Sequence, residues 1–338
     1  MLSYSKKTYA LFFAAIIFVV SALVGCSSQP TEVVKDEVDV EDDQTGTGST
    51  EIVIEHELGT TTIPEQPEKI IALEFSFVDA LASLDITPVG IADDGDEARI
   101  IAPILEKIND YTSVGTRKQP SLEVISSLQP DLIIADLKRH KEIYEDLQKI
   151  APTIILPSLA GGYDENLASF PIIAQAVGKS EIAEQRLAEH NEIIEAVKAK
   201  VPADESRTVL PAVVTNDSFH GHSSDAYTGS LLQKLGFANA IVEEKAGDLQ
   251  EYLGAPYLKM SLEQLVEFNP DILFLMKSGD KTVVEEWAEN PLWNSISAVK
   301  NGAVYEVDRD TWSRFRGLIS SEIIAQDSLN FLYGQTIE

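Results

Sequence analysis

The sequence predicts an α/β protein of two lobes, each built on a parallel sheet, joined by a single long helix. Three observations lead there. Apolar runs of strand length alternate with amphipathic helical stretches, the pattern of parallel sheets covered on both faces. One supersecondary unit occurs twice, at identical internal spacing. The stretch 181–201 between the two copies is rich in Ala, Glu, Gln and Leu and holds neither Gly nor Pro.

In chain order, Lys6 and Lys7 precede an almost wholly apolar run, 9–24, which closes on Leu23-Val24-Gly25-Cys26. A basic start, an apolar stretch and small residues before a cut describe a secretory signal. The run is short for a membrane span, and Cys26 stands at its end, where a thiol has no packing role. A cysteine at the cut is the bacterial lipoprotein pattern, in which the thiol takes up a diacylglycerol. Residues 1–25 are therefore expected to be the signal peptide and Cys26 the lipidated first residue of the mature chain, held on the outer face of the cell membrane. Cys26 is the only cysteine, which excludes a disulfide framework or a Cys-based metal site. Residues 26–50 are Ser, Thr, Gly and acid, with Lys35 the only base, and read as a flexible tether. The formal net charge of −29 excludes nucleic acid as a partner, since phosphate binding needs a basic surface.

The first lobe spans 51–178, with a strand at 69–73, a helix at 77–84 and a strand at 88–91. Ser121-Leu122-Glu123 then leads to Pro130-Asp131-Leu132-Ile133-Ile134. Each part has a reason: a Ser N-cap, a Glu near the positive end of a short helix, a Pro-Asp stop, and an apolar strand. The connecting helix occupies 179–201, with Ile182, Leu187, His190, Ile193, Ile194 and Val197 near helical spacing. The second lobe, 202–338, opens with a strand at 208–214 and a helix at 228–235. It repeats the unit as Ser261-Leu262-Glu263 and Pro270-Asp271-Ile272-Leu273-Phe274, which implies duplication. Both lobes are Rossmann-like in pattern, so ligands belong at the carboxyl ends of the strands, in a cleft between the lobes.

Three basic clusters fall in predicted loops: Gly115-Thr116-Arg117-Lys118-Gln119, Asp136-Leu137-Lys138-Arg139-His140, and Thr311-Trp312-Ser313-Arg314-Phe315-Arg316-Gly317. If 312–316 is extended, Trp312, Arg314 and Arg316 share one face. Guanidinium groups match carboxylates bidentately, so this set suits a polycarboxylate or a bulky anionic chelate. A competing reading is a metal-ion receptor or metallohydrolase built on His220-Gly221-His222 with Asp217 and Asp225. Two histidines do not close a zinc site, and a turn with polar side chains is the preferred reading of that segment. No G-x-S-x-G, phosphate loop or G-x-G-x-x-G is present, and nothing requires an enzyme.

At these residues the chain resembles the periplasmic iron-siderophore binding proteins of ABC transporters, and within them the ferric citrate (iron(III) dicitrate) binding lipoproteins. The similarity rests on Ser113-Val114-Gly115-Thr116-Arg117, on Gln119-Pro120-Ser121-Leu122-Glu123, and on the stretch from Asp131 to Asp136 with Arg139-His140. It continues in Thr228-Gly229-Ser230, Pro291-Leu292-Trp293, and Asp308 followed by Thr311-Trp312, Arg314 and Arg316-Gly317. The resemblance implies the class III periplasmic-binding-protein fold. It implies that Arg117, Arg139, Arg314 and Arg316 bind citrate carboxylates and that Trp312 packs against the chelate. Tyr227 stands where relatives present an aromatic to the cleft. Iron would be held by citrate oxygens, with no direct protein ligand and no cofactor. The implied partners are an ABC permease with its ATPase, met by one exposed acid on each lobe: Glu97 or Glu106, and Glu243 or Glu244. A monomer is expected. A hydroxamate or catecholate chelate is the alternative cargo on the same fold.

Overall fold

The computed structural model describes residues 51–242, 246–247 and 249–337. The expected signal peptide, the tether with Cys26, and Glu243 and Glu244 lie outside the described residues. The strands of the first half are β1 (Ile52–His56), β2 (Gly59–Ile63), β3 (Ile70–Ala72), β4 (Gly90–Ile91), β5 (Thr112–Ser113), β6 (Gly115–Thr116), β7 (Gln119–Pro120), β8 (Leu132–Asp136) and β9 (Thr153–Leu156). Five of them form a sheet in the order β5-β4-β3-β8-β9, every pair parallel. The order reverses beside β3, so the chain opens a crevice at the carboxyl ends of β3 and β8. Both faces of this sheet are covered. In β8, Leu132 and Ile134 join one apolar cluster, while Ile133 and Ala135 join the other.

The second half contains β10 (Thr208–Val214), β11 (Phe219–His222), β12 (Ala238–Asn239), β13 (Gln250–Tyr252), β14 (Ala255–Met260), β15 (Ile272–Lys277) and β16 (Val304–Val307). Their sheet runs β13-β14-β11-β10-β15-β16, with β12 also beside β10. It is mixed rather than parallel throughout. β10, β12, β15 and β16 are parallel, whereas β11, β13 and β14 are antiparallel additions. The reason is local. Only residues 215–218 separate β10 from β11, too few for a crossover. His220 and His222, expected in a turn, therefore stand inside a strand.

The repeated unit is real in three dimensions and reaches further than its sequence. Ser121 Oγ caps its helix by accepting from Val124 N–H at 3.3 Å, and Ser261 Oγ does the same for Gln264 N–H at 3.3 Å. The acid of each Pro-Asp pair then grips the first strand of its own sheet. Asp131 Oδ2 accepts from Lys69 N–H at 2.8 Å, and Asp271 Oδ2 accepts from Thr208 N–H at 2.9 Å. The same two residue types make the same two contacts in both lobes.

The helix Ser180–Lys200 connects the lobes and buries Ala183, His190, Ile194 and Val197. Nδ1 of His190 lies 2.7 Å from Glu322 of the last helix, Leu318–Tyr333, and its Nε2 lies 2.7 Å from the Tyr163 hydroxyl. The last helix is also held from the first lobe. The buried Asp79 carboxylate accepts from Ile319 N–H at 3.0 Å and Ser320 N–H at 2.9 Å, satisfying two donors the helix leaves free. Phe75 and Phe315 stack beside this contact, 4.7 Å between centroids. A Cβ on Gly317 would sit 2.4 Å from Asp79 Cγ, so only glycine admits the cap.

Gly229 is under a tighter constraint. It lies in the helix Tyr227–Lys234, and a Cβ there would fall 1.9 Å from the Ser223 carbonyl oxygen. Helix propensity alone favours Gly229→Ala by about 1 kcal/mol. The clash is with backbone, which cannot rotate away, and overpacking costs about 1–3 kcal/mol. Denaturant unfolding should therefore show G229A to be less stable than the parent.

Candidate functional site

The carboxyl ends of the strands converge on one cavity of about 420 Å³. Arg117 and Arg139 come from the first lobe, and Arg309, Arg314 and Arg316 from the second. Behind the cavity wall, three of these arginines converge on a residue absent from the candidates above. Glu74 follows β3 as the N-cap of the helix Phe75–Ser83, yet its side chain caps nothing. It is fully buried and receives three guanidiniums. Arg316 Nη2 donates to Oε2 at 2.9 Å, and Arg117 Nη1 to the same oxygen at 3.4 Å. Arg139 Nε meets Oε1 in close ion-pair contact. Burial alone would raise the Glu74 carboxyl, but the charges of Arg117, Arg139 and Arg316 hold it at about 2.

Each guanidinium is set by a local device. Arg117 sits in the turn between β6 and β7. Its Nη2 and Nε donate to Asp94 Oδ2 at 2.7 Å and 3.1 Å, and its plane lies 4.4 Å from the Phe75 ring centroid. The segment carrying Arg139 is a one-turn helix, Leu137–His140, rather than a loop. Asp136 caps it by accepting from Arg139 N–H at 2.8 Å. Arg316 is almost wholly buried and also donates to the Ser313 carbonyl at 2.5 Å. Arg314 pairs with Asp310. Arg309 touches the Ser278 hydroxyl and, among the described residues, forms no ion pair. Its Nε is buried without a partner. Five guanidiniums thus line the cavity with one carboxylate, Asp217, while Glu74, Asp94 and Asp310 behind them pair with four of the five. The excess is positive in a chain whose net charge is −29.

β11 and the β13–β14 hairpin add His220, His222, Tyr252 and Tyr257 to the lining. His222 packs on Tyr257, with ring centroids 4.6 Å apart. Burial, with the charge of Arg316 beside it, lowers His222 to about 3; burial and Lys259 lower His220 as well. Both rings are neutral at pH 7, and His222 Nδ1 is buried with no hydrogen-bond partner. Among the described residues, no group of three or more His, Cys, Asp and Glu is placed to hold a metal ion.

The structure brings Arg117, Arg139, Arg314 and Arg316 together. It places Trp312 and Tyr227 elsewhere. The segment Asp310–Arg314 is a helical turn, not an extended chain, so residue alternation does not hold there. Trp312 is buried against Phe274, 4.8 Å between centroids, with Nε1 donating to Asp327 at 3.0 Å. Tyr227 is buried and donates to the Gly317 carbonyl at 2.9 Å. Glu97 and Glu106 are exposed on the first lobe. A sequence signal for Glu74 did exist: with Asp79, it is one of two charges inside the otherwise uncharged run 70–84.

The periplasmic binding protein family matches residues 68–311. The chain belongs to that family. As a periplasmic binding protein it is 44% identical over 339 residues to the Fe(3+)-citrate-binding protein YfmC of Bacillus subtilis (strain 168), covering 99% of this chain and 100% of that one. It is 37% identical over 284 residues to the Fe(3+) dicitrate-binding periplasmic protein FecB of Escherichia coli (strain K12), covering 84% and 91%. Among solved structures, Staphylococcus aureus SirA complexed with staphyloferrin B superposes with a TM-score of 0.72 at 27% identity, covering 83% of this chain and 98% of that one. The two-lobed α/β architecture is that of this binding-protein family.

Proposed function

We propose that this protein is the lipid-anchored, extracytoplasmic receptor of an ABC importer, and that it captures ferric citrate between its lobes and passes it to the permease. The observation that carries the reading is the positive cavity in which five guanidiniums outnumber their carboxylates. An anionic polycarboxylate chelate supplies the missing charge, and arginine forks match its oxygens. The names of the two relatives agree in ligand. Iron arrives inside its chelate as cargo, so the protein needs no cofactor and performs no catalysis. Cys26 would carry the lipid, two acyl chains giving the stable anchorage that one does not. Glu97 or Glu106 on the first lobe, and Glu243 or Glu244 on the second, would meet the permease, with the receptor acting as a monomer. A neutral hydroxamate chelate would leave the Arg309 guanidinium unpaired, at a desolvation cost, which disfavours it.

Thermal unfolding tests the ligand. A native-state ligand at about a hundredfold excess over its Kd stabilises by about 2.7 kcal/mol. Ferric citrate should raise the melting temperature, iron-free citrate should raise it less, and a ferric hydroxamate should leave it unchanged. A shift with the hydroxamate and none with ferric citrate would overturn the assignment.

A further inference from the structure

His140 is fully buried behind the arginine wall, and its ring is bonded on both sides. The Asp136 backbone N–H points at Nδ1 at 2.9 Å. A backbone N–H can only donate, so Nδ1 holds a lone pair and the ring proton sits on Nε2. Nε2 then donates to the carbonyl of Arg117 at 2.8 Å. The neutral imidazole is therefore a strut between two segments that each deliver a guanidinium to Glu74. One is the strand end and short helix bearing Arg139; the other is the β6–β7 turn bearing Arg117.

A second proton has only Nδ1 to go to, where the Asp136 N–H already points. Imidazolium would set two donors against each other and break that bond. The groups facing the ring are Asp136 and Arg139 on its own segment, Arg117 from the β6–β7 turn, and Glu74 from the end of β3. Burial lowers the His140 pKa below its ordinary 6.5, against the Arg117 carbonyl, Glu74 and Asp136, which favour the charged form, while Arg139 opposes it.

We propose that His140 is a positioning residue that makes capture acid-sensitive: its neutral Nε2–H form ties the Arg117 turn to the end of the strand that carries Arg139, and protonation at Nδ1 breaks that tie at the Asp136 N–H, shifts the two guanidiniums relative to each other and weakens binding of the anionic chelate. This rests on the cavity being the chelate site. The sign follows from the depressed pKa: the strut is intact above 6.5 and is lost as pH falls through the folded-state value.

The test compares wild type with His140→Gln, whose side-chain oxygen can accept from Asp136 and whose amide can donate to Arg117, without titrating. Ferric citrate affinity is measured for both between about pH 7.5 and about pH 4.5. Speciation of the chelate cancels in the ratio of the two affinities. H140Q should bind nearly as well as wild type at the upper end. The ratio of wild-type to H140Q affinity should then fall as the ring becomes charged, by up to about tenfold, the worth of roughly one buried hydrogen bond. A ratio independent of pH overturns the proposal. His140→Phe, which removes the strut, should bind about tenfold more weakly at every pH; unchanged affinity also overturns it. If H140Q does not fold, NMR titration of the wild-type protein decides. His140 should show the Nε2–H tautomer, and its protonation should move the Asp136 and Arg117 amide signals together. An Nδ1–H tautomer, or amides that ignore the titration, sinks the idea. If wild type binds no ferric citrate at any pH, the ligand assignment fails, and the same NMR titration still judges the strut.

Discussion

Replacing Glu74 by Gln should destabilise this protein more than replacing any one of the arginines that surround it. Removing one partner from a buried ion pair costs about 3–5 kcal/mol because the other charge is left uncompensated. Glu74 is the shared partner of three guanidiniums, two of them almost wholly inaccessible to solvent, and among the described residues only Arg117 has a second acid, Asp94. An Arg316 replacement still leaves Glu74 with Arg117 and Arg139. Glu74→Gln leaves three cations facing one another with only Asp94, beside Arg117, among them. Urea unfolding at neutral pH should give the order wild type, then R316M, then E74Q as least stable. The pH dependence follows from linkage. The carboxyl sits at about 2 in the fold against an ordinary 4.5, so its contribution is present above 4.5 and is lost as pH falls through about 2. The shift corresponds to about 3 kcal/mol. E74Q should lack that part of the acid sensitivity. Equal stability of E74Q and wild type would show that the arginines do not depend on this residue.

What the sequence made legible was local. Serine caps, Pro-Asp stops and apolar runs are chemical signals within a few residues, and they located the alternation of strands and helices and the doubled unit around Ser121 and Ser261. The arginines were legible for a related reason, because loops after strands carry function. Two kinds of feature were not. Glu74 gains its meaning only when Arg117, Arg139 and Arg316, up to 242 positions away, fold around it. Trp312 was misplaced because one assumption, an extended backbone at 312–316, decided its face; the helical turn at Asp310–Arg314 sends it into the core instead. The mixed second sheet follows from the short link at 215–218, which the apolar runs alone do not reveal. Convergence and facing direction are tertiary properties, and short-range pattern does not encode them.

Arg309 carries the second large expectation, and it separates binding from stability. Among the described residues its guanidinium has no carboxylate, and Nε is buried without a partner. Burial, aided by repulsion from Arg314, pulls its pKa down to about 10, which leaves it charged at neutral pH. A charge whose folded-state pKa is depressed opposes folding while it is protonated, though the remaining exposure of this side chain screens part of the cost. Arg309→Met should therefore leave the ligand-free protein as stable as wild type or more so. Its ligand should suffer in the opposite direction. The other four guanidiniums already share Glu74, Asp94 and Asp310, so a bound carboxylate adds least to them and most to Arg309. Truncating one partner of a desolvated charge pair costs about 2–5 kcal/mol of affinity. Calorimetric titration with ferric citrate should show R309M to lose more affinity than R314M, with a melting temperature in the ligand-free state that does not fall. A drop in ligand-free stability would mean that Arg309 has a structural partner, and unchanged affinity would remove it from the site. The cavity would then hold its ligand by the shared arginines alone, and the cost of keeping an unpaired guanidinium there would have no return in binding.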